Sequence, residues 1–193
     1  TDAIMNGDKE TGISLIYMVK KMDAGDILAQ KAIKIEDDDD TESIFDKLSL
    51  VGRDLLLETL PKVISGDVSP MPQAEDQVVF SPTIKPDEEQ LDFSQTAFMV
   101  NAKIRALCPD PVAYTMMNGK RTKIWRAQVI DQHTDLVPGS VVEKTKHQLL
   151  LSAGDGTVLS IQEIQPAGKP KQQITDYLNG IGQSLKVGQQ VIK

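Results

Sequence analysis

Four groups of side chains have types and spacings that could do chemistry. Two carboxylates, Asp23 and Asp26, flank Gly25 in the run Lys20-Lys21-Met22-Asp23-Ala24-Gly25-Asp26. A carboxylate beside a glycine turn can orient an imidazole or order a water; it can also do no more than close the turn. Glu36 and Asp37 to Asp40 form an acidic run that would suit a cation or lead into a helix, whose N-terminal end favours carboxylates. The run lacks the glycine and distal glutamate of a calcium loop, so the helix lead-in is preferred. The third group is cationic: Lys120, Arg121, Lys123 and Arg126 around Trp125, Lys144 and Lys146 further on, then Lys169 and Lys171. Such clusters form either a phosphate-binding surface or a solvated face. Trp125 reads as a core anchor rather than a base-stacking platform. The fourth group is sparse. One cysteine, Cys108, and two histidines, His133 and His147, exclude an internal disulfide and any site built from several of these ligands. Cys108 itself reads as a small half-buried side chain.

The elements that must position these groups follow from periodicity. Residues 1–10 read as the end of a helix. The apolar stretch from Ile13 to Val19 is too short for a good helix and rich in β-formers, so it predicts a strand; 27–35 predicts a second, antiparallel to the first. The intervening loop holds Asp23, with Gly25 expected to take a positive φ. Ile44, Leu48, Val51, Leu55 and Val63 recur at helical spacing up to a stop at Gly66. Pro70, Pro72, Pro82 and Pro86 stiffen the stretch that follows into a linker. Beyond it, a helix over 93–107 is predicted, then short strands at 112–117, 120–130, 140–143, 148–152 and 158–164, and a last short helix at 174–178. Asn118-Gly119 is a strong hairpin signal. Regular short strands with turn signals predict a small barrel or sandwich. In 120–130 simple alternation puts Arg121, Lys123 and Trp125 on one face and Lys120, Thr122, Ile124 and Arg126 on the other.

Composition sets bounds on what these elements can be. The 193 residues hold 21 Lys+Arg and 28 Asp+Glu, a net charge of -7, with 40% apolar residues, enough to build a core. An acidic total argues against nucleic-acid binding by bulk charge. The charge is uneven, however: -9 over residues 1–87 and +2 over 88–193. That asymmetry predicts two modules with different partners. No apolar run approaches the roughly 20 residues of a membrane-spanning helix. The first residues show no basic-then-apolar pattern, so no signal peptide and a reducing, cytoplasmic setting are expected.

Four segments resemble the methionyl-tRNA formyltransferases. They are Asn6-Gly7-Asp8 to Leu28, including Met22-Asp23-Ala24-Gly25-Asp26; Leu91-Asp92-Phe93-Ser94; Ile104 to Ala113 with Asn118-Gly119 and Lys123-Ile124-Trp125; and Gly154-Asp155-Gly156 running on to Gln165-Pro166-Ala167-Gly168-Lys169. The resemblance implies an α/β remnant of a Rossmann-like formyltransferase domain followed by a small OB-like β-barrel domain. Residues 1–66 would be the C-terminal part of the catalytic domain, 67–87 the linker, and 88–193 a tRNA-binding barrel. It implies transfer of a formyl group from 10-formyltetrahydrofolate, without a metal, to the amino group of initiator methionyl-tRNA. A full-length monomer without membrane attachment is expected. Of the family's Asn, His and Asp, only the Asp has a counterpart, Asp23; the Asn-x-His motif and the Ser-Leu-Leu-Pro loop are absent. The chain is therefore expected to be a C-terminal portion that is inactive alone. Asp26 is expected to satisfy backbone donors in the turn. Lys120, Arg121, Lys123, Arg126, Lys169 and Lys171 are the expected tRNA contacts. Pro109-Asp110-Pro111 departs from the family's Pro-Trp-Pro. A formyltransferase for a nucleotide-linked amino sugar, or a non-catalytic tRNA-binding barrel, is the alternative.

Overall fold

Alternation in the first apolar run produces strand β1 (Glu10–Ile16), which pairs antiparallel with β2 (Ile27–Lys34) from Glu10↔Lys34 to Ile16↔Ile27. The computed structural model describes residues 1–74, 76 and 78–193. Glu75 and Gln77, within the expected linker, lie outside the described residues. The chain divides into two units: Asp8–Thr83, and Thr1–Gly7 together with Ile84–Lys193. Among the described residues, no helix is long and apolar enough to cross a membrane.

In the first unit, Thr11, Ile13 and Leu15 share the half-buried face of β1. Helix α2 (Thr41–Ser65) packs on this hairpin, burying Ile44 and Leu55. A side chain at Gly52 would lie 2.7 Å from Ile13, so glycine permits the close approach. Gly66 ends the helix in the left-handed conformation, at φ 80°. The acidic run caps the start: the Asp40 side chain accepts from the Ser43 N–H at 2.9 Å, and the Ser43 hydroxyl accepts from the Asp40 N–H at 3.1 Å. The expected linker is not free chain. Met71 and Ile27 exchange two backbone hydrogen bonds of 2.8 and 2.9 Å, laying residues 71–73 beside the start of β2.

Asp39 is buried behind this cap. Both its oxygens accept from Lys47 at 2.6 Å, and it also accepts from the Glu36 N–H and the Ser43 hydroxyl. Burial alone would raise its pKa; these hydrogen bonds overcome that and hold it below the ordinary carboxylate value. A lowered folded-state pKa contributes stability above the unfolded value of about 3.9, which is lost as pH falls through the folded value. Asp39→Asn should weaken amide-exchange protection of α2 by about 1–3 kcal/mol at neutral pH. The difference from wild type should shrink below about pH 4. Equal protection at neutral pH would contradict this.

In the second unit, helix α1 (Asp2–Met5) packs on α3 (Ala97–Ala106). Helix α3 starts later than its periodicity predicts. The Asp92 carboxylate accepts from both the N–H and the hydroxyl of Ser94, holding 92–94 in a turn, and Thr96 supplies the cap. Then come β3 (Tyr114–Met117), β4 (Lys120–Ile130), β5 (Val141–Lys144), β6 (Leu149–Ser152), β7 (Val158–Pro166), β8 (Gln172–Gln173) and helix α4 (Ile174–Asn179). Ile124, Leu149, Leu151, Leu159, Ile161 and Ile164 fill the core. The strand order is β3-β4-β7-β6-β5, with β8 beside β7.

This ladder corrects the expectation of a closed barrel. Among the described residues β3 and β5 do not pair, and the sheet is open. The C-terminal segment reaches both edges instead, through single bridges Met117↔Ile192 and Ser140↔Gln190. Strands β3 and β5 have four residues each, and the segment beside them makes isolated bridges rather than a continuous strand.

Candidate functional site

Asp23 sits in the loop between β1 and β2, in the Asp8–Thr83 unit. The loop closes through its backbone: the Tyr17 N–H donates to the Asp26 carbonyl at 3.0 Å, and the Ala24 N–H to the Lys21 carbonyl at 3.4 Å. Asp26 thus accepts from a backbone donor of the turn, and does so through its carbonyl. The glycine expectation also changes. Asp23, not Gly25, takes the positive φ, at 54°. Aspartate tolerates this region better than most side chains. Gly25 is needed for close approach, since a Cβ there would lie 1.7 Å from the Tyr17 carbonyl oxygen. The Asp23 carboxylate is exposed and makes no hydrogen bond among the described residues. The Gln73 side-chain amide donates to the carbonyls of Asp23 and Gly25, at 2.8 and 2.7 Å.

The six cations lie in the other unit, on β4 and the loop after β7. Asn118 and Gly119, at φ 48° and 75°, form the tight turn before β4. Simple alternation fails within β4. The register runs Ile124↔Ile164, then Arg126↔Glu163, then Ala127↔Ile161, so Trp125 is the extra residue of a β-bulge. Thr122 and Ile124 face the core, while Arg126 is exposed opposite Glu163. The bulge thus turns Arg126 to the face carrying Arg121 and Lys123, correcting the alternation. Trp125 is half-buried, its indole N–H donating to the Gln165 side chain at 3.0 Å and its ring under Lys171 at 4.8 Å. It is therefore a surface platform rather than a core anchor.

These cations differ in their commitments. Arg121 pairs with Glu89 at 3.2 Å and stacks over Tyr114 at 3.8 Å. Lys123 donates to the Pro111 carbonyl at 3.0 Å. Lys171 pairs with Glu163 at 2.9 Å, and the Gln173 side chain donates to the same carboxylate at 2.7 Å. The Lys171 hydrogen bond, against the opposing effect of burial, holds the Glu163 pKa below its ordinary value. Lys120, Arg126 and Lys169 make no ion pair within 4.0 Å among the described residues. A shallow polar pocket beside Arg126 is lined by His147, Gln148, Gln162, Glu163 and Gln173.

The sequence family described as the C-terminal domain of formyl transferase matches residues 83–182, and the one described as formyl transferase matches residues 1–60. The chain belongs to the formyl transferase family. Similar relatives include the methionyl-tRNA formyltransferases of Pediococcus pentosaceus, 62% identical over 98% of this chain and 59% of the relative, and of Levilactobacillus brevis, 58% identical over 98% and 60%. The chain thus spans about 60% of the length of the curated relatives it matches. The crystal structure of HypX from Aquifex aeolicus in complex with tetrahydrofolic acid superposes with a TM-score of 0.70, covering 96% of this chain and 33% of that one at 22% identity, which shows a shared fold.

Within this formyl transferase chain the structure brings Lys123, Arg126 and Lys171 to one face of β4 and β7, with Arg121 on the same strand. Asp23 belongs to the other unit. Sequence reasoning missed Glu163, Gln165, Gln173 and Gln73. Isolated glutamines and glutamates carry no periodic signal, and only the register of β4, β7 and β8 places the first three together.

Proposed function

We propose that this chain carries part of the catalytic machinery and the tRNA-binding surface of a methionyl-tRNA formyltransferase. The observation that carries the reading is the 62% identity to a methionyl-tRNA formyltransferase over 98% of the chain. The acceptor is the α-amino group of initiator methionyl-tRNA, and the donor is 10-formyltetrahydrofolate. The amine attacks the formyl carbon and a tetrahedral oxyanion forms. The bond from that carbon to the folate nitrogen then breaks, and the proton lost by the amine ends on the released nitrogen. Asp23, an exposed carboxylate held in a fixed turn, orients the group that moves this proton. The 193 residues hold two histidines, His133 and His147, neither in an Asn-x-His sequence, so the chain by itself is inactive.

Residues 1–66 belong to the catalytic part, 67–87 link, and 88–193 bind tRNA through the open sheet whose edges the C-terminal segment touches. On this reading the cationic face of β4 takes phosphates, and Trp125 offers an aromatic surface beside them. Lys120, Arg126 and Lys169, which have no ion-pair partner among the described residues, contribute most. Arg121 and Lys171 must first leave Glu89 and Glu163. In a salt titration of initiator methionyl-tRNA binding, Lys120→Ala, Arg126→Ala and Lys169→Ala should each reduce the log–log salt slope by about 1. Arg121→Ala and Lys171→Ala should do so less. Binding that ignores salt would remove this surface from the proposal.

A further inference from the structure

We infer that Gln73 is a positioning residue for formyl transfer, fixing the backbone that presents Asp23. The inference rests on the reading of Asp23 as a participant in that reaction.

The loop around Asp23 has little else to hold it. Lys20, Lys21, Met22 and Asp23 are all exposed, and among the described residues the loop's own backbone hydrogen bonds are those donated by Tyr17 and Ala24. Asp23 is the residue with the left-handed φ of 54°, so the direction of its side chain depends on that unusual turn being kept. The Gln73 side-chain nitrogen sits 2.8 Å from the Asp23 carbonyl oxygen and 2.7 Å from that of Gly25. Two carbonyls accept only, so both must be served by a donor, which fixes the amide's orientation. Its two N–H groups thereby clamp the carbonyls on either side of Ala24. The clamp comes from far along the chain, because the Met71–Ile27 bridge brings residues 71–73 alongside the loop. That bridge tethers the segment without Gln73, so the side chain acts on the loop itself rather than on the segment's attachment.

The chemistry distinguishes this role from packing. Gln73→Glu places a carboxylate, which only accepts, against two carbonyls that only accept. At low pH the protonated carboxyl regains one donor. The test compares Gln73→Ala, Gln73→Glu and Asp23→Asn in the intact gene product, by steady-state formylation of methionyl-tRNA across pH. Gln73→Ala should lower kcat about 10- to 100-fold while KM for donor and acceptor moves less than about 3-fold, the cost of misplacing a group that contacts the reaction. Gln73→Glu should lose as much near neutrality and recover relative to wild type as pH falls. Wild-type kcat in both Gln73 variants, with Asp23→Asn impaired, would remove Gln73 from the mechanism and leave Asp23 in it. A Gln73→Glu loss that stays constant across pH would reduce Gln73 to a packing role. Wild-type turnover in Asp23→Asn would overturn the underlying reading and this inference with it.

Discussion

Asp23→Asn in the intact gene product should lower kcat for formyl transfer by about 100- to 10,000-fold, the range associated with losing acid–base assistance. The prediction separates chemistry from folding unusually well. Asparagine tolerates the left-handed conformation about as readily as aspartate, so the φ of 54° at this position is preserved. The carboxylate is exposed and makes no hydrogen bond among the described residues, so its replacement leaves no partner stranded. Thermal stability should therefore change by no more than about 0.5 kcal/mol, as for an ordinary surface substitution. The carbonyl of residue 23 still accepts from Gln73, and the turn keeps its shape. What is lost is the negative charge that favours and orients a protonated partner. A variant with nearly wild-type kcat would take Asp23 out of the catalytic set, and a variant that fails to fold would show that the residue serves the turn.

The second large effect concerns the end of the chain. Deleting residues 188–193 should destabilise the Ile84–Lys193 unit by about 3–6 kcal/mol, enough to abolish a marginal fold. Val191 and Ile192 are buried, and burying each such aliphatic side chain is worth about 1.5–3 kcal/mol. The segment also ties both edges of the sheet. The Asn118 N–H donates to the Val191 carbonyl at 2.7 Å, and the Val141 N–H to the Gln189 carbonyl at 2.9 Å. Without it, β3 and β5 would present unpaired edges and an uncovered core, a combination that favours aggregation. Thermal unfolding of the truncated chain at the wild-type midpoint would contradict this account. The point substitution Val191→Asp, which places an unpaired charge in the core, should reproduce most of the loss.

Periodicity carried most of the fold. The hairpin of β1 and β2, the long helix α2 with its acidic cap and glycine stop, and the short strands of the second unit all lie close to where apolar spacing puts them. These features depend on residues within a few positions of one another. What was not legible depends on distant pairing. Whether β3 and β5 meet is decided by the C-terminal segment, some 70 residues beyond β3 in sequence on the scale that loop closure makes affordable. The bulge at Trp125 is invisible to alternation, because only the offset between β4 and β7 creates it. It moves Arg126, which alternation puts on the opposite face, to the face of Arg121, Lys123 and Trp125. The candidate site shows the same division. Asp23 was marked by resemblance to a family loop, whereas Gln73 lies 50 positions away in a proline-flanked stretch and shows itself only through its two hydrogen bonds.

Formyl transfer by the intact gene product tests the central claim most directly. It is followed with 10-formyltetrahydrofolate as donor and either initiator methionyl-tRNA or a nucleotide-linked amino sugar as acceptor. The account predicts donor-dependent formylation of methionyl-tRNA by the wild-type protein, its near loss in Asp23→Asn, and no transfer by the isolated 193-residue chain. Formylation of the amino sugar with methionyl-tRNA left untouched would contradict it.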